Sequence, residues 1–180
     1  MIESLNAHGK AGVVVPHGVL FRGAAEGRIR TEILNEDILE AVVGLPSNLF
    51  FGTGIPAAII IFNREKKNKE KVLFIDASKD FVAGKNQNSL GENHINHIVD
   101  VFTDFHDNQK DAGVIEDKFA YIATLEEIKE NDYNLNIPRY VDTYEEEAEI
   151  DLTEVQQKIE QLQSELAEVQ KQMDEYLKLF

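Results

Sequence analysis

Apolar residues along this chain fall into two patterns. Short unbroken runs, AGVVV (11–15), LEAVVGL (39–45), PAAIIIF (56–62) and VLFID (72–76), are set off by Gly, Pro or charged residues and predict strands. AGVVV in particular has the make-up of a strand buried on both faces of a parallel sheet. Elsewhere the apolar positions recur at helical spacing. In 25–35, Ile29, Ile33 and Leu34 share one face, with Glu26, Arg28, Arg30 and Glu32 largely outside it. In 93–106, Ile95, Ile98, Val99, Phe102 and Phe105 form the apolar stripe of an amphipathic helix. Ile2–Leu5 ends a helix stopped by Gly9. Strand, helix, strand, loop, strand predicts an α/β sheet. The polar stretch 77–92, with Gly84, Gly91 and several Asn, predicts a long loop. FAYIA (119–123) predicts a further strand, and Thr124 with Glu127 forms a capping box that opens a short helix. Residues 131–141 are rich in Asn and extended, with Pro138 excluding helix.

The last thirty residues differ. Leu152, Val155, Ile159, Leu162, Leu166, Val169, Met173, Tyr176 and Phe180 follow one another in alternating steps of three and four, an a/d heptad seam. A single helix cannot bury such a stripe against itself, so the seam calls for a partner helix, from another chain or from its own domain. The organisation expected is 1–76, an α/β region; 77–150, a connecting region of loop and helix; and 151–180, an assembly helix.

Charge sharpens this division. The net charge is −15. Residues 1–75 carry nine Lys/Arg and eight Asp/Glu, whereas 76–180 carry nine Lys/Arg against 25 Asp/Glu. The acidic part repels phosphate backbones and supplies no counterion release, so any nucleic-acid contact belongs to the first part or to a partner. With no cysteine there are no disulfides, thiolate metal sites or thiol nucleophiles. No apolar run nears the roughly 20 residues of a membrane span, and MIESLNAHGK lacks the order of a signal peptide. A cytoplasmic protein with no membrane partner is expected.

Candidate chemistry is sparse. His94, His97 and Asp100 sit at i, i+3 and i+6 of the helix over 93–106, near a metal-ligand spacing but without an evident further ligand, so no metal is expected. GTG (52–54) lacks the continuation of a phosphate loop. Most unusual is SNLFFGTG (47–54), which places Leu49, Phe50 and Phe51 inside a strand-to-strand connection.

Four blocks together are more specific. GKAGVVVPHGVLFRGAAEGRIRTEIL, LEAVVGLPSNLFFGTGIPAAIIIFNR, VLFIDAS and YNLNIPRYVDTYEEEAEIDL occur in this order, and the combination resembles the modification subunit of type I restriction–modification systems. Those subunits are adenine-N6 DNA methyltransferases that use S-adenosylmethionine. The resemblance implies the C-terminal part of a Rossmann-like methyltransferase sheet followed by a helical region with a coiled-coil-like helix. Strands over 11–15, 39–45 and 57–63 would be the fifth, sixth and seventh, the seventh antiparallel between its neighbours. The partners implied are DNA, a specificity subunit, a second modification subunit and a restriction subunit, with 152–180 docking on the specificity subunit.

The family's Gly-containing donor loop and its Asn-Pro-Pro-aromatic tetrapeptide are not in this sequence, whose four prolines, Pro16, Pro46, Pro56 and Pro138, are never adjacent. The resemblance therefore implies a C-terminal portion with no catalytic residue of its own, inactive alone and binding no S-adenosylmethionine alone. Phe62, near the end of the last strand, is either the aromatic that stacks on a flipped base or a strand-end core residue. Phe50 and Phe51 are a wedge or anchor near DNA, or else one of them caps the core. Arg22, Arg28 and Arg30 are candidates for phosphate contact, or decorate an exposed helix. Asn134 and Asn136 satisfy loop backbone groups, and Tyr133 and Tyr140 anchor their segment. AGVVV would be an interior strand lacking a neighbour, so the isolated chain is expected to self-associate. The alternative is a non-catalytic α/β module that dimerises through its C-terminal helix.

Overall fold

The computed structural model describes residues 2–143 and, beyond them, the helical positions 156, 158, 159, 161–163, 165, 166, 169, 170 and 173. The chain divides into two compact units, Met1–Tyr144 and Glu145–Phe180. No described helix is long and apolar enough to cross a membrane.

The first unit is a six-stranded mixed sheet with helices on both faces. Its elements are β1 (Lys10–Pro16), α1 (Ala24–Asn35), β2 (Leu39–Gly44), β3 (Ala57–Asn63), β4 (Lys71–Asp76), α2 (Glu92–Asp107), β5 (Gly113–Glu116), β6 (Ala120–Thr124) and α3 (Leu125–Glu130). Short 3-10 turns occupy Ile2–Ser4, His17–Leu20 and Ile137–Arg139. The strand order is β1-β3-β2-β4-β6-β5. β3 is antiparallel to both β1 and β2, as the resemblance implied, and β2 runs parallel to β4. β1, β2 and β4 therefore share one direction.

Period-two alternation sorts the strands onto two cores. Val42, Ile60, Phe62, Val72 and Phe74 face a layer made by Leu34, Ile128, Ile137 and Tyr140. Val43, Leu73, Ile75 and Ile122 face the other side, where Phe105, Ile98 and Phe102 of α2 cover them. β2 is buried along its whole length, because strands flank it on both edges and helices lie over both faces. β1 departs from expectation. It is an edge strand of alternating half-buried and exposed residues, paired only to β3, with Val14 55% exposed. AGVVV is thus not buried on both faces.

Two helical faces also differ from their predicted orientation. Arg30 is buried and Ile29 exposed on α1, and Ile95 and Val99 are exposed on α2. The basic turn after β3 is tied inward. Lys66 is buried, donates to the carbonyls of Leu39 (2.9 Å) and Lys71 (3.0 Å), and pairs with Asp37. On β2, buried Glu40 accepts hydrogen bonds from His106 Nδ1 (2.7 Å) and Asn63 (3.1 Å). Residues 77–143, expected as loop, helix and one strand, add both β5 and β6 to the same sheet.

Thr124 caps α3 by accepting from Glu127 N at 3.1 Å. Pro138 is the second residue of a 3-10 turn instead of lying in extended chain, since its fixed φ and missing N–H are tolerated in the first turn of a helix. Tyr140 anchors that turn, stacked on Phe74 at 4.0 Å and donating to Asn134 O at 2.5 Å. Asn134 Oδ1 in turn accepts from Asn136 N at 2.9 Å.

Candidate functional site

Open α/β sheets bind ligands outside the carboxyl ends of their parallel strands. Here the carboxyl ends of β1, β2 and β4 converge. Pro16 pairs with Ala57, Gly44 with Ala58, and Gly44 with Asp76. Three backbone bonds close this end: His17 N to Pro56 O (3.1 Å), Leu45 N to Ala57 O (2.9 Å) and Ala77 N to Gly44 O (3.0 Å). At Gly44 the backbone approaches closely, since a Cβ there would lie 2.7 Å from Ile137 Cδ1 and 3.8 Å from His17 Nε2 and would displace the tip of the isoleucine. Burial lowers the pKa of His17, and the charge of Asp76 opposes that shift. At neutral pH His17 is therefore an uncharged imidazole at the mouth of the sheet.

The β2–β3 connection, residues 45–56, projects from the same end. Asn48 and Gly52 take positive φ (54° and 78°), and Thr53 N bonds Phe50 O at 3.4 Å, folding the connection into consecutive turns. Its three large apolar residues go three ways. Leu49 packs into the core beneath α2. Phe50, 43% exposed, lines an apolar groove of about 230 Å³ with Val14, Val15, Pro16, Ile55 and Pro56. Phe51 is 91% exposed. Capping of the core falls to Leu49, which leaves both phenylalanines available.

Phe62 is not at this site. It pairs with Ala11 and Leu39 at the amino ends of β1 and β2, is 6% exposed and belongs to the core facing Leu34 and Tyr140. Because β3 runs antiparallel, its C-terminal end lies at the opposite edge of the sheet from the ligand-binding end. Of the two alternatives considered for Phe62, this burial fits the strand-end core residue and not base stacking.

Arg30 is likewise corrected. Its guanidinium donates to the carbonyls of Arg22 (2.7 Å), Val19 (2.8 Å) and Tyr133 (3.2 Å), and it is not on the outer face of α1. Arg22 is exposed, lies against Gly18 and approaches Glu26 at 3.8 Å. Arg28 is exposed and lines a cavity of about 550 Å³ at the start of α1. Both side chains lie at the surface of this end of α1.

His94 Nδ1 accepts from Gly91 N at 3.2 Å, and His97 lies between Glu116 (2.9 Å) and Asp80 (3.6 Å). Among the described residues no group of three or more metal-ligating side chains comes together. In the second unit, Ile159, Leu162, Leu166, Val169 and Met173 are between 49% and 60% exposed. Leu152, Val155, Tyr176 and Phe180 lie outside the described residues.

Sequence reasoning missed His17 and Ile55. Their signal was positional: each adjoins a proline that ends or begins a strand at the same end of the sheet.

Residues 1–149 match the N-6 DNA methylase family. The chain is 38% identical over 168 residues to the type I restriction enzyme MjaVII methylase subunit of Methanocaldococcus jannaschii, covering 91% of this chain and 28% of that protein. A solved type I restriction-modification system methyltransferase subunit from Streptococcus thermophilus is 51% identical, with a TM-score of 0.66 over 74% of this chain and 27% of that one. The EcoKI M protein, 19% identical, shares the fold at a TM-score of 0.63 over 96% of this chain and 42% of its own. The chain thus spans less than a third of the length of the curated relatives it matches. Within that span it belongs to the N-6 DNA methylase family, among the methylase subunits of type I restriction enzymes.

Proposed function

We propose that this chain is the C-terminal portion of a type I modification subunit that, when intact, transfers a methyl group from S-adenosylmethionine to the N6 atom of adenine in DNA. Its sheet is the end of a Rossmann-like methyltransferase sheet. Its own contribution is one wall of the pocket that receives the flipped adenine, together with the helix that docks on the specificity subunit. The donor loop and the Asn-Pro-Pro-aromatic tetrapeptide are not in this sequence, so the chain alone is inactive and no donor-binding role is assigned to its residues. The family match over 1–149 favours this reading over a non-catalytic interaction module.

The observation that carries the proposal is Phe50, half exposed over an apolar groove at the carboxyl end of β1. A base leaving the duplex loses stacking worth a few kcal/mol, and an aromatic ring returns about 1–3 kcal/mol of it. Phe50 is placed for that, with Val14, Pro16 and Ile55 excluding water. Phe51, exposed more fully still, takes the part of a wedge at the duplex in this reading, supported by its exposure. Arg22 and Arg28 then serve flanking phosphates. The exposed seam residues of the second unit are the docking surface for the paired helices of a specificity subunit, in a complex that also holds a second modification subunit and a restriction subunit.

The test replaces Phe50 with alanine in the full-length subunit, assembled with its specificity subunit and given a duplex carrying 2-aminopurine at the methylated adenine. Loss of the flipping fluorescence and a fall in turnover are expected. Unchanged fluorescence and turnover overturn the assignment.

A further inference from the structure

The connection that carries Phe50 is held by a second loop, and that loop reads as part of the site. Residues 77–91 leave the carboxyl end of β4 and return to α2. Val82 and Ser89 bridge it across its middle, with Val82 N to Ser89 O at 2.8 Å and Ser89 N to Val82 O at 3.0 Å. Its tip is tight: a Cβ at Gly84 would lie 2.1 Å from Gln87 O, so the turn admits only glycine. At its base Asp80 N bonds Ala77 O at 3.1 Å, and Leu90 packs in the same core as Leu49.

From this tight turn three donors reach across. Asn88 Nδ2 donates to Ser47 O at 3.0 Å, Asn88 N to Asn48 O at 2.8 Å, and Gln87 Nε2 to Leu49 O at 2.5 Å. The acceptors are the three consecutive carbonyls that immediately precede Phe50. A strand-to-strand connection of this length is ordinarily among the more mobile parts of a domain. Here each peptide leading into the aromatic has its own donor from outside the connection.

We propose that Gln87 and Asn88 are positioning residues for the target base, fixing the direction of the peptides that aim Phe50 into the groove. The inference rests on the pocket reading above. Stacking tolerates little error in the placement of the ring, so a brace at this point governs how much of the bound DNA holds its base flipped. It leaves the chemistry of methyl transfer, and the affinity for flanking duplex, to other residues.

The variants are Asn88→Asp, which keeps size and removes the side-chain donor, Gln87→Ala, and the two combined, in the full-length subunit assembled with its specificity subunit. With 2-aminopurine at the target adenine, the double variant is expected to lose flipping fluorescence and to slow single-turnover methylation about tenfold, as befits two modest hydrogen bonds. The Kd for S-adenosylmethionine stays at the wild-type value, and the thermal midpoint falls by no more than a few degrees. Gln87→Lys, which keeps a donor for Leu49 O, recovers most of the loss seen in Gln87→Ala alone. Wild-type flipping and turnover in the double variant, with Phe50→Ala defective in the same assay, overturn the brace and leave the pocket standing. If Phe50→Ala is silent as well, the pocket reading fails and the brace falls with it. A double variant whose only change is a lower thermal midpoint shows a purely structural loop and also overturns the proposal.

Discussion

Replacing Arg30 with methionine keeps most of the side-chain stem and removes the guanidinium. In the folded protein that group donates to the carbonyls of Arg22, Val19 and Tyr133 at 2.7, 2.8 and 3.2 Å, and the residue is 7% exposed. It fastens the turn after β1 and the entry to α1 onto the segment at Tyr133, which lies a hundred residues away. Two effects oppose each other. Burial disfavours the cation and lowers its pKa, partly offset by the charge of Glu26. Against this, each hydrogen bond from a charged donor contributes about 1.5–3 kcal/mol, toward the lower end where, as here, the acceptor carbonyls are only part-buried. The bonds win, and three bonds from a charged donor, less the cost of burying the cation, give an expected loss of about 3–5 kcal/mol. With a urea m-value of about 2 kcal/mol/M, the unfolding midpoint falls by about 2 M. Arg30→Lys keeps the charge on a point donor and lies between the two. The assay is urea unfolding followed by circular dichroism, alongside the salt dependence of DNA binding by the full-length subunit. A midpoint for Arg30→Met within about 0.5 M of wild type refutes the fastening. If instead stability holds and the salt slope drops by about 0.9, Arg30 is a phosphate contact after all.

Gly44→Ala places a Cβ 2.7 Å from Ile137 Cδ1 and is expected to cost about 1–3 kcal/mol by overpacking. Ile137→Val removes that methyl at about 0.5–1.5 kcal/mol, so the double variant should be more stable than the two losses combined, and strict additivity in a double-mutant cycle refutes the clash. His97 has its pKa raised, first by its hydrogen bond to Glu116 and further by Asp80, against partial burial. The stability it contributes is therefore fully present below the unfolded value of about 6.5 and lost as pH rises through the folded one. Thermal midpoints of wild type and His97→Gln should converge with rising pH over that window, and parallel curves refute the pairing. His17 carries the opposite sign, since its lowered pKa makes stability fall as pH drops below about 6.5, so the His97 comparison is made with His17 intact. The unpaired edge of β1, with Val14 55% exposed, is expected to drive self-association of the isolated chain; sedimentation should show a dimer that Val14→Lys weakens, and a wild-type monomer contradicts the expectation.

Strand positions were legible because β-branched runs and their turn residues report local geometry. AGVVV, LEAVVGL, PAAIIIF and VLFID each became a strand within a residue or two of the expected bounds. Burial was less legible. Whether AGVVV is buried on both faces depends on which neighbours lie beside it, and β1 has a strand on one side only. Arg30 escaped for a similar reason. A helical wheel assigns charge to the outside, but the three carbonyls it serves come from Val19, Arg22 and Tyr133, which no window of helical spacing brings together. β5 is four residues long and mostly exposed, and it is a strand only because β6 pairs with it.

Phe62 and Phe50 show the same limit at the site itself. Both are aromatics beside a strand, and the sequence alone does not reveal which end of the sheet each occupies. That is set by the antiparallel course of β3, a property of pairing with β1 and β2. Once direction is known, the informative quantity is exposure. Burying a phenylalanine is worth about 1.5–3 kcal/mol, and a domain that sequesters Phe62, Phe74 and Phe105 leaves Phe50, Phe51, Ile55 and Val14 in water. Single exposed apolar residues are ordinary, but here three of the four line one groove at the carboxyl end of the parallel strands, and the fourth adjoins it in sequence. Stability forgone in one place, beside a connection whose peptides are individually braced, is what the proposed role of this groove, receiving a planar apolar base, calls for.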